Sequence, residues 1–422
     1  MFWGMVELPA HAWLHVNNEF RAYLGSTGFV GLAFAMQQLL ISWLLIGELL
    51  LPADRVGVLQ ALMAIPGLFL MLWGGASADR SDPRTLLLRV YLFAPLLPVF
   101  LIVIVGMDQL AEWSVVLWGL GMSTVISFSM PAQQAILNRV AAADDIQRGV
   151  SIATAIGFLV QIIGLFLAGQ LDNIGLTNVL ILQAISLIVG ALMIQRLSVA
   201  TPGGPALNGS GQSIKSVKSA LTNIREGLTA TFKHQVIFQV LVINFVSSIF
   251  NAGAFMTAFP YIIKRVYDGD AALLAIMMAV FFAGAMLANV IMLRLMPLNQ
   301  PGRLFLLMQL SRIVVLWLMW INPPWWLLVV ATIGWGINMG FTSTLSRTII
   351  QESAPPEFRG RIMSVLTLGM MGSAPIGAII LGLIIESLGT LNALVPAMFI
   401  SLALFGYGVA RTNVWGYRSP TG

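Results

Sequence analysis

The sequence lacks cysteine and has few charged residues. Its 422 residues include no cysteine, which excludes disulfide bonds and thiolate metal sites. Only 9% of the residues are charged and 58% are hydrophobic, whereas soluble globular domains average about 25% charged residues. So few charges cannot cover the surface of a water-soluble fold of this size. The composition therefore predicts an integral membrane protein.

Histidine is also scarce. His11, His15 and His234 are the only histidines, all three lie outside the long apolar runs, and no group of residues has the spacing of metal ligands. We therefore predict no metal site, no cofactor and no catalytic residues, which argues against a membrane enzyme.

Twelve apolar segments have about the length of helix, roughly 20 residues, that crosses a bilayer core. In the first half they cover residues 22–49, 56–76, 86–107, 113–136, 150–171 and 175–195. In the second half they cover residues 236–263, 271–295, 304–322, 325–346, 362–385 and 390–410. Runs such as 327–331 lack the strict alternation of barrel strands. The predicted fold is an all-α polytopic membrane protein with twelve transmembrane helices.

The middle of the chain has a different composition. Residues 201–212 are rich in proline, glycine and serine, and a basic stretch follows. We therefore predict an N-terminal six-helix bundle over residues 1–200, a cytoplasmic linker over residues 201–234 and a C-terminal six-helix bundle over residues 235–422. Apolar residues near helical spacing from Ile214 to Phe232 predict a short amphipathic helix, which either lies on the membrane surface or is solvated.

The basic residues are distributed unevenly between the two sides of this predicted topology. Eighteen of the 22 Lys and Arg residues fall on the side of the chain termini, and Arg55, Lys264 and Arg265 fall on the other side. Cytoplasmic segments carry the excess of Lys and Arg, so we predict that both termini are cytoplasmic. Topology thus accounts for the net charge of +5 without a nucleic acid partner.

The two halves resemble each other when the second is shifted by 213 positions. Residues 135–148 then align with residues 348–361, Gly164 with Gly377, and Gly169 with Gly382. This pattern predicts two tandem, pseudo-symmetric bundles, as in transporters that bind solute between their halves. The helix-packing residues it suggests are Gly164, Gly169, Pro375, Gly377 and Gly382. The alternative is chance similarity between apolar helices.

The segment between the second and third helices carries a motif. Gly75, Asp79, Arg80 and Arg84 resemble the loop signature G-x-x-x-D-R-x-G-R-R of the major facilitator superfamily, although Asp82 stands where that signature has glycine. The Asp82 variant, with residues 131–134 and 357–361, is similar to the branch that contains siderophore and macrolide exporters. This resemblance implies a transporter in a bacterial inner membrane, with lipid and a small molecule as its partners.

The same four residues are predicted to form a cytoplasmic latch. Asp79 can accept hydrogen bonds from helix N-terminal amides, and Arg80 or Arg84 can pair with the other half. Such a latch would stabilise the outward-open state. The alternative is an ordinary charged turn that follows the positive-inside bias.

Polar residues at membrane depth are costly, so they are expected to face a cavity or another helix. Asn244, Ser248 and Asn251 recur at helical spacing on the seventh segment, and Gln38 and Ser42 do so on the first. In the resembled fold, helices one, four, seven and ten line the substrate path. That adds Ser127, Asn338 and Thr342 to the candidates. Hydrogen bonding between helices is the alternative for each of them.

Arg312 is the one basic residue predicted deep inside a helix. It lies about 13 Å beyond Arg303 at 1.5 Å per residue. It can bind an anionic substrate or a helix-end carbonyl, or its long side chain can reach the membrane surface. Glu48, Asp172 and Glu386 are predicted near outer helix ends, so the coupling ion stays open, with the proton as a candidate.

These features together predict a secondary active transporter that works by alternating access. The resemblance favours export of a small amphipathic compound, such as a drug or a siderophore-like molecule. A lysophospholipid or nutrient transporter is an alternative within the same class. A non-transporting membrane receptor or scaffold is the alternative from another class.

Overall fold

The computed structural model describes residues 18–80, 82–140, 146–198 and 217–419. It describes only the backbone of residues 72–80, 138, 146–148, 150, 151, 217–221, 223 and 224. Throughout these ranges the regular structure is helical, and twelve helices are long and apolar enough to cross a membrane. The predicted all-α fold, with twelve membrane helices in two pseudo-symmetric bundles, is confirmed.

We number the membrane helices 1 to 12 in chain order. Helices 1 to 6 are Asn18–Glu48, Ala53–Arg80, Pro83–Gly106, Glu112–Val140, Ile146–Gly169 and Leu176–Ile194. Helices 7 to 12 are Gln235–Val266, Ala271–Leu295, Pro301–Trp320, Trp325–Ser353, Arg359–Leu388 and Leu394–Arg411. The linker helix, Val217–Lys233, lies between the two sets.

Three of these helices depart from regular α geometry. Helix 1 ends in a wide π turn, Leu44–Glu48, and helix 7 contains two, Ala254–Ala258 and Ile262–Val266. Helix 3 is interrupted after Phe93 and resumes at Leu96, because Pro95 has no N–H to continue the hydrogen-bond ladder. Hydropathy predicted these helices but not their irregular turns.

The helices alternate in direction, so the bundle has two ends. The Leu51 end carries the connections at residues 49–52, 107–111, 170–175, 267–270, 321–324 and 389–393. The Arg84 end carries the described chain termini, the linker helix and the connections at residues 296–300 and 354–358. At the Leu51 end, Gly175 directly precedes helix 6 and Gly389 directly follows helix 11, with φ of 84° and 90°, a region that glycine enters without strain.

Within each half, one glycine brings two helices into close contact. A Cβ atom at Gly164 of helix 5 would lie 2.6 Å from Cβ of Ala35 on helix 1. A Cβ atom at Gly377 of helix 11 would lie 2.1 Å from the carbonyl oxygen of Ile249 on helix 7. The two glycines therefore occupy equivalent positions in the two halves. Pro375 lies buried two residues before this contact, within helix 11.

A second pair of glycines packs one half against the other. A Cβ atom at Gly169 would lie 2.4 Å from Cβ of Ala275 on helix 8. A Cβ atom at Gly382 would lie 2.4 Å from the carbonyl oxygen of Ala53 on helix 2. Both contacts are at the Leu51 end. Helix 5 thus packs on helix 8 as helix 11 packs on helix 2.

Buried apolar residues form two separate cores among the described residues. The larger core joins helices of both halves, and at the Leu51 end it includes Leu44, Ala53, Phe259 and Leu381. The smaller core lies at the Arg84 end and contains only residues from position 230 onward. The two halves therefore share one apolar core at the Leu51 end but not at the Arg84 end.

The linker helix rests on the second half. Glu226 pairs with Arg361 at 2.7 Å, and Gly227 lies against the backbone of Arg361 on helix 11. Thr231 is buried, whereas Phe232 is exposed. The helix therefore packs on protein along one side and leaves apolar side chains on another.

Candidate functional site

A cavity of about 250 Å³ lies among the helices of the second half and reaches helix 1. Its lining is mostly apolar, with several amide, hydroxyl and guanidinium groups. The lining residues are Gln38, Asn244, Ser248, Asn251, Ala252, Phe255, Met256, Phe281, Phe282, Arg312, Met339, Thr342, Ser343, Met370 and Ser373. An apolar cavity with a few convergent polar groups is the usual form of a small-molecule site.

Six of the nine predicted substrate-path residues line this cavity. Asn244, Ser248 and Asn251 do so because positions i, i+4 and i+7 of helix 7 share one face. Gln38, Arg312 and Thr342 also line it. Gln38 is the contribution of the first half, and its amide oxygen accepts a hydrogen bond from Gln161 on helix 5 at 2.8 Å.

Arg312 is buried beside the cavity, with 3% of its surface exposed. Its Nε and Nη2 lie 3.3 and 3.2 Å from Oδ1 of Asn338, and its Nη1 donates to Ser247 and Gln309. The side chain does not reach the membrane surface, because helices 7 and 10 and its own helix 9 supply neutral acceptors for it. Snorkelling, one of the three sequence-based alternatives, is therefore wrong.

The charge of Arg312 has no carboxylate partner among the described residues. Its hydrogen-bond acceptors are two side-chain amides, a hydroxyl and a backbone carbonyl, all neutral. No lining residue of the cavity is Asp or Glu. A buried charge without an opposite charge is costly in a low-dielectric interior. The cavity therefore carries a positive charge that an anion would neutralise.

Further polar groups of the site have no hydrogen-bond partner in the described part of the chain. Oγ1 of Thr342 and Nε2 of Gln309 are buried without one. Both N–H groups of the Asn338 amide are hydrogen-bonded, because its nitrogen donates to the carbonyl of Met308 and to Ser311. Asn338 is not a lining residue and instead positions Arg312.

Aromatic rings close the cavity toward the Leu51 end. Phe255 and Phe281 stack with centroids 4.3 Å apart, and Phe282 meets Phe255 edge-on at 5.8 Å. Trp335 packs behind them, and its indole N–H donates to Oδ1 of Asn251 at 2.6 Å. One member of the polar stripe is therefore oriented by this aromatic cluster.

Ser42 and Ser127 lie outside the cavity lining. Oγ of Ser127 donates to the carbonyls of Ser123 and Gly67, which is the interhelical bonding considered as the alternative. Ser42 lies 3.4 Å from Nε2 of Gln60 and 3.5 Å from the carbonyl of Met256. Ser42 thus contributes to contacts between the halves.

Polar contacts join the halves next to the cavity, toward the Leu51 end. Oγ1 of Thr257 donates to Oε1 of Gln60 at 2.8 Å, and the Tyr261 hydroxyl donates to the carbonyl of Leu51 at 2.6 Å. We call Leu51, Gln60, Thr257 and Tyr261 the Leu51 gate. Gln60 and Thr257 were not identified from the sequence, because single polar residues in an apolar run do not indicate which helix they face.

Two carboxylates strengthen the closure at this end. Oδ2 of Asp172 accepts from the backbone N–H of Ala271, the first residue of helix 8, at 3.0 Å. Oε2 of Glu386 accepts from the N–H of Ala53, the first residue of helix 2, at 3.3 Å. Each carboxylate comes from one half and caps a helix N-terminus of the other, where a negative charge is favourable.

The predicted latch residues lie at the opposite end. Gly75, Asp79 and Arg80 belong to helix 2, and their side chains fall outside the described residues. Nη2 of Arg84 donates to the carbonyl of Gln195 at 2.8 Å, which is a contact within the first half. Asp82 caps helix 3 through the N–H of Thr85. The described latch contacts therefore do not cross between the halves in this state.

Comparison with known proteins identifies the family. A model of the transmembrane secretion effector family matches residues 15–414. No curated protein sequence matches this chain.

Solved structures share the fold. The nucleoside transporter NupG has a TM-score of 0.72 at 15% identity, over 95% of this chain and 100% of that one. A bacterial homologue of the human lysosomal transporter Spinster has a TM-score of 0.63 at 14% identity, covering 94% and 96%. A proton-dependent oligopeptide transporter has a TM-score of 0.65 at 11% identity, covering 93% and 99%. The chain belongs to the transmembrane secretion effector family and is a membrane transporter of the major facilitator type.

Proposed function

We propose that this chain is a secondary active transporter that exports a small amphipathic compound by alternating access. The observation that carries the proposal is the cavity beside the Leu51 gate. It combines an aromatic wall, a polar stripe on helix 7 and a buried arginine, it reaches the first half at Gln38, and the two halves share an apolar core at one end only. A receptor or scaffold would have no need for this one-sided closure.

The distribution of basic residues supports an orientation. The Arg84 end carries most of the Lys and Arg residues, as cytoplasmic segments do. We therefore propose that the chain lies in a bacterial inner membrane with the Arg84 end and both termini in the cytoplasm. In this orientation the structure is closed on the outside, and the cavity belongs to the inward-facing state.

Transport then requires the Leu51 end to open as the Arg84 end closes. In the inward-facing state the Leu51 gate and the two carboxylate caps hold the outer end closed. In the outward-facing state, Asp79, Arg80 and Arg84 would hold the cytoplasmic end closed. A solute that binds both states converts this exchange into movement across the membrane.

The direction and the coupling ion rest on separate arguments. The family description and the resemblance of the Asp82 loop to exporters favour efflux. The proton is the coupling ion to test first, because Asp172 and Glu386 are carboxylates that join the halves. Protonation would weaken both caps by removing their negative charge.

Spin-label distances test alternating access directly, since the chain has no cysteine and introduced thiols would be unique. Gln109→Cys with Ser387→Cys reports the Leu51 end across the halves, and Arg196→Cys with Gln351→Cys reports the Arg84 end; all four residues are exposed. We expect any change of pH or solute that lengthens one distance to shorten the other.

The matched control is Gln109→Cys with Asn173→Cys, two exposed positions at the Leu51 end of the same half. Their distance should stay constant. Single, unchanging distances for both cross-half pairs, at every pH and with every solute tried, would favour a receptor or scaffold over a transporter.

Export is tested in cells that express the chain or its Asn251→Ala variant. We expect the wild-type chain to lower the accumulation of some fluorescent amphipathic compounds, and a protonophore or the substitution to abolish this. Asn251 is chosen because it faces the cavity and is held by Trp335. Equal accumulation with and without the chain across a broad panel would contradict amphiphile export.

A further inference from the structure

A second, apolar cavity of about 170 Å³ adjoins the site. Asn244 and Met370 line both cavities, so the two spaces meet at these residues. The remaining lining is apolar except for Thr231, and it comes from helices 7 and 11 and the linker helix. These residues are Leu228, Thr231, Phe232, Phe238, Leu241, Val242, Phe245, Val365, Leu366 and Gly369. We call this space the apolar arm.

The apolar arm runs from the polar cavity toward the Arg84 end. On helix 7 its lining runs from Phe238 to Phe245, which are about 10 Å apart at 1.5 Å per residue. The arm ends at Phe232 and Phe238, whose rings are 5.2 Å apart and are 67% and 36% exposed. It therefore opens at the protein surface at the Arg84 end, which faces the inner leaflet in the proposed orientation.

The other end of the combined space is positively charged. Arg312 has neutral acceptors, and no lining residue of either cavity is acidic. Asn338, Ser247 and Gln309 engage four of the five N–H groups of its guanidinium, so one N–H and the uncompensated charge are available to a carboxylate or phosphate oxygen. The unpaired hydroxyl of Thr342 offers a further donor in the same cavity.

We propose that the transported solute is an amphiphile with an anionic head group and a single apolar chain, whose head binds at Arg312 and whose chain lies in the apolar arm. The proposal rests on the transport function proposed above and names its substrate class. The continuity of a charged cavity with an apolar one distinguishes such a solute from a compact polar nutrient and from a cationic drug.

The occupant of the arm is therefore the solute's own chain and not a resident bilayer lipid. A bilayer phospholipid has two chains and a bulky head, whereas the arm is a single space of about 170 Å³ between helices 7 and 11 and the linker helix. Exposed Phe232 and Phe238 allow a single-chain amphiphile to enter from the inner leaflet, with its head reaching the cavity past Asn244. The linker helix forms one wall of this route.

The experiment measures binding of alkyl phosphates from butyl to hexadecyl to the full chain in nanodiscs, with empty nanodiscs correcting for partition into lipid. Each methylene buried in the arm should raise the affinity about fourfold, up to the length at which the arm is filled. Dodecanoate should bind as an anion of the same chain, and dodecyltrimethylammonium should bind at least tenfold more weakly than dodecyl phosphate.

Two variants separate the head site from the arm. Arg312→Gln should weaken all alkyl phosphates at least tenfold, while Arg294→Gln, which removes an exposed arginine at the Arg84 end, should not. Gly369→Leu places a side chain in the arm, where a Cβ atom would be 3.6 Å from Phe245, an ordinary contact. It should weaken dodecyl phosphate at least tenfold and leave butyl phosphate unchanged.

Equal affinity for the dodecyl cation and anion would overturn the anionic head, and an affinity independent of chain length would overturn the arm. Both measurements use the wild-type chain, so they decide the matter even if a variant fails to fold. Binding without any transport would support this inference and contradict the proposed function. Transport of solutes with no preference for anions would support the proposed function and contradict this inference.

Discussion

The amide oxygen of Asn338 accepts from both Nε and Nη2 of Arg312, at 3.3 and 3.2 Å. The amide nitrogen of Asn338 is held in turn by the carbonyl of Met308 and by Ser311. The orientation of the amide is therefore set by its own donors, and its oxygen must face the guanidinium. Asn338 thus fixes the direction of the positive charge but does not neutralise it.

Replacing Asn338 with aspartate should neutralise the site with little change of shape. Asn338→Asp keeps the accepting oxygen and adds a negative charge next to Arg312, which supplies the missing ionic partner. We expect dodecyl phosphate to bind at least tenfold more weakly and the preference for anions over cations to disappear. The measurement is the nanodisc binding series with dodecyl phosphate and dodecyltrimethylammonium.

The control for this variant is Asn289→Asp. Asn289 lies on helix 8, is partly buried and is hydrogen-bonded to Thr344, outside the cavity lining. It adds the same charge without contacting Arg312. Unaltered selectivity in Asn338→Asp, with the protein folded, would contradict the role of the uncompensated arginine.

The twelve helices could be predicted from the sequence because each is a long apolar run, and lipid exposure leaves no other solution for the backbone. Helix-face spacing also predicted that Asn244, Ser248 and Asn251 share a cavity. The buried state of Arg312 was not predictable. It depends on Ser247 and Asn338 from two other helices, and the hydropathy of helix 9 carries no information about them.

The contacts between the halves could not be predicted from the sequence either. A glycine in an apolar run predicts close packing, and the 213-residue shift pairs Gly169 with Gly382. It does not identify Ala275 or Ala53 as their neighbours. Gln60 and the π turns of helix 7 were missed for the same reason, because they are determined by the packing of one half on the other.

The glycine contact at Gly382 should hold the outer end closed. In Gly382→Ala the new Cβ atom would lie 2.4 Å from the carbonyl oxygen of Ala53, which is too close for any side-chain atom. Overpacking of this kind costs about 1–3 kcal/mol, and here the cost applies only to the state in which the halves touch. We therefore expect a longer distance between spin labels at Gln109 and Ser387.

Gly372→Ala is the matched control for that substitution. Gly372 lies on the same helix, and nothing is within 4 Å of the position that its Cβ atom would occupy. The same measurement should return the wild-type distance distribution. If Gly372→Ala shifted the distances as much as Gly382→Ala, helix propensity rather than the contact with Ala53 would be the cause.

The two carboxylate caps should act as a pair. Asp172→Asn and Glu386→Gln each remove a negative charge from the N-terminus of a helix in the opposite half, where each is favourable. We expect each single variant to populate the open outer end partly and the double variant to do so most. The Gln109 and Ser387 spin-label distance reports the change.

Asp108→Asn serves as the control, because it removes an exposed acid at the same end whose carboxylate has no described ion pair or hydrogen bond. Asparagine also tolerates the φ of 57° at this position. A double variant that leaves the distances unchanged while Asp108→Asn alters them would mean that net surface charge, not helix capping, holds this end closed.

The proposed latch at the Arg84 end should act in the opposite state, in which that end is closed. In this structure the one hydrogen bond of the Arg84 side chain to a described residue is with Gln195 of its own half, so the contact that we propose with the second half would form in the other state. Arg84→Gln should therefore change the affinity for dodecyl phosphate in the inward-facing state by less than about twofold, and it should lower the transport rate.

Binding in nanodiscs measures the affinity, and uptake into proteoliposomes measures the transport rate. The control is Arg89→Gln, which removes an exposed arginine from the same helix. A variant with weaker binding and unchanged turnover would place Arg84 in solute recognition instead, and the latch would then depend on Asp79 and Arg80 alone.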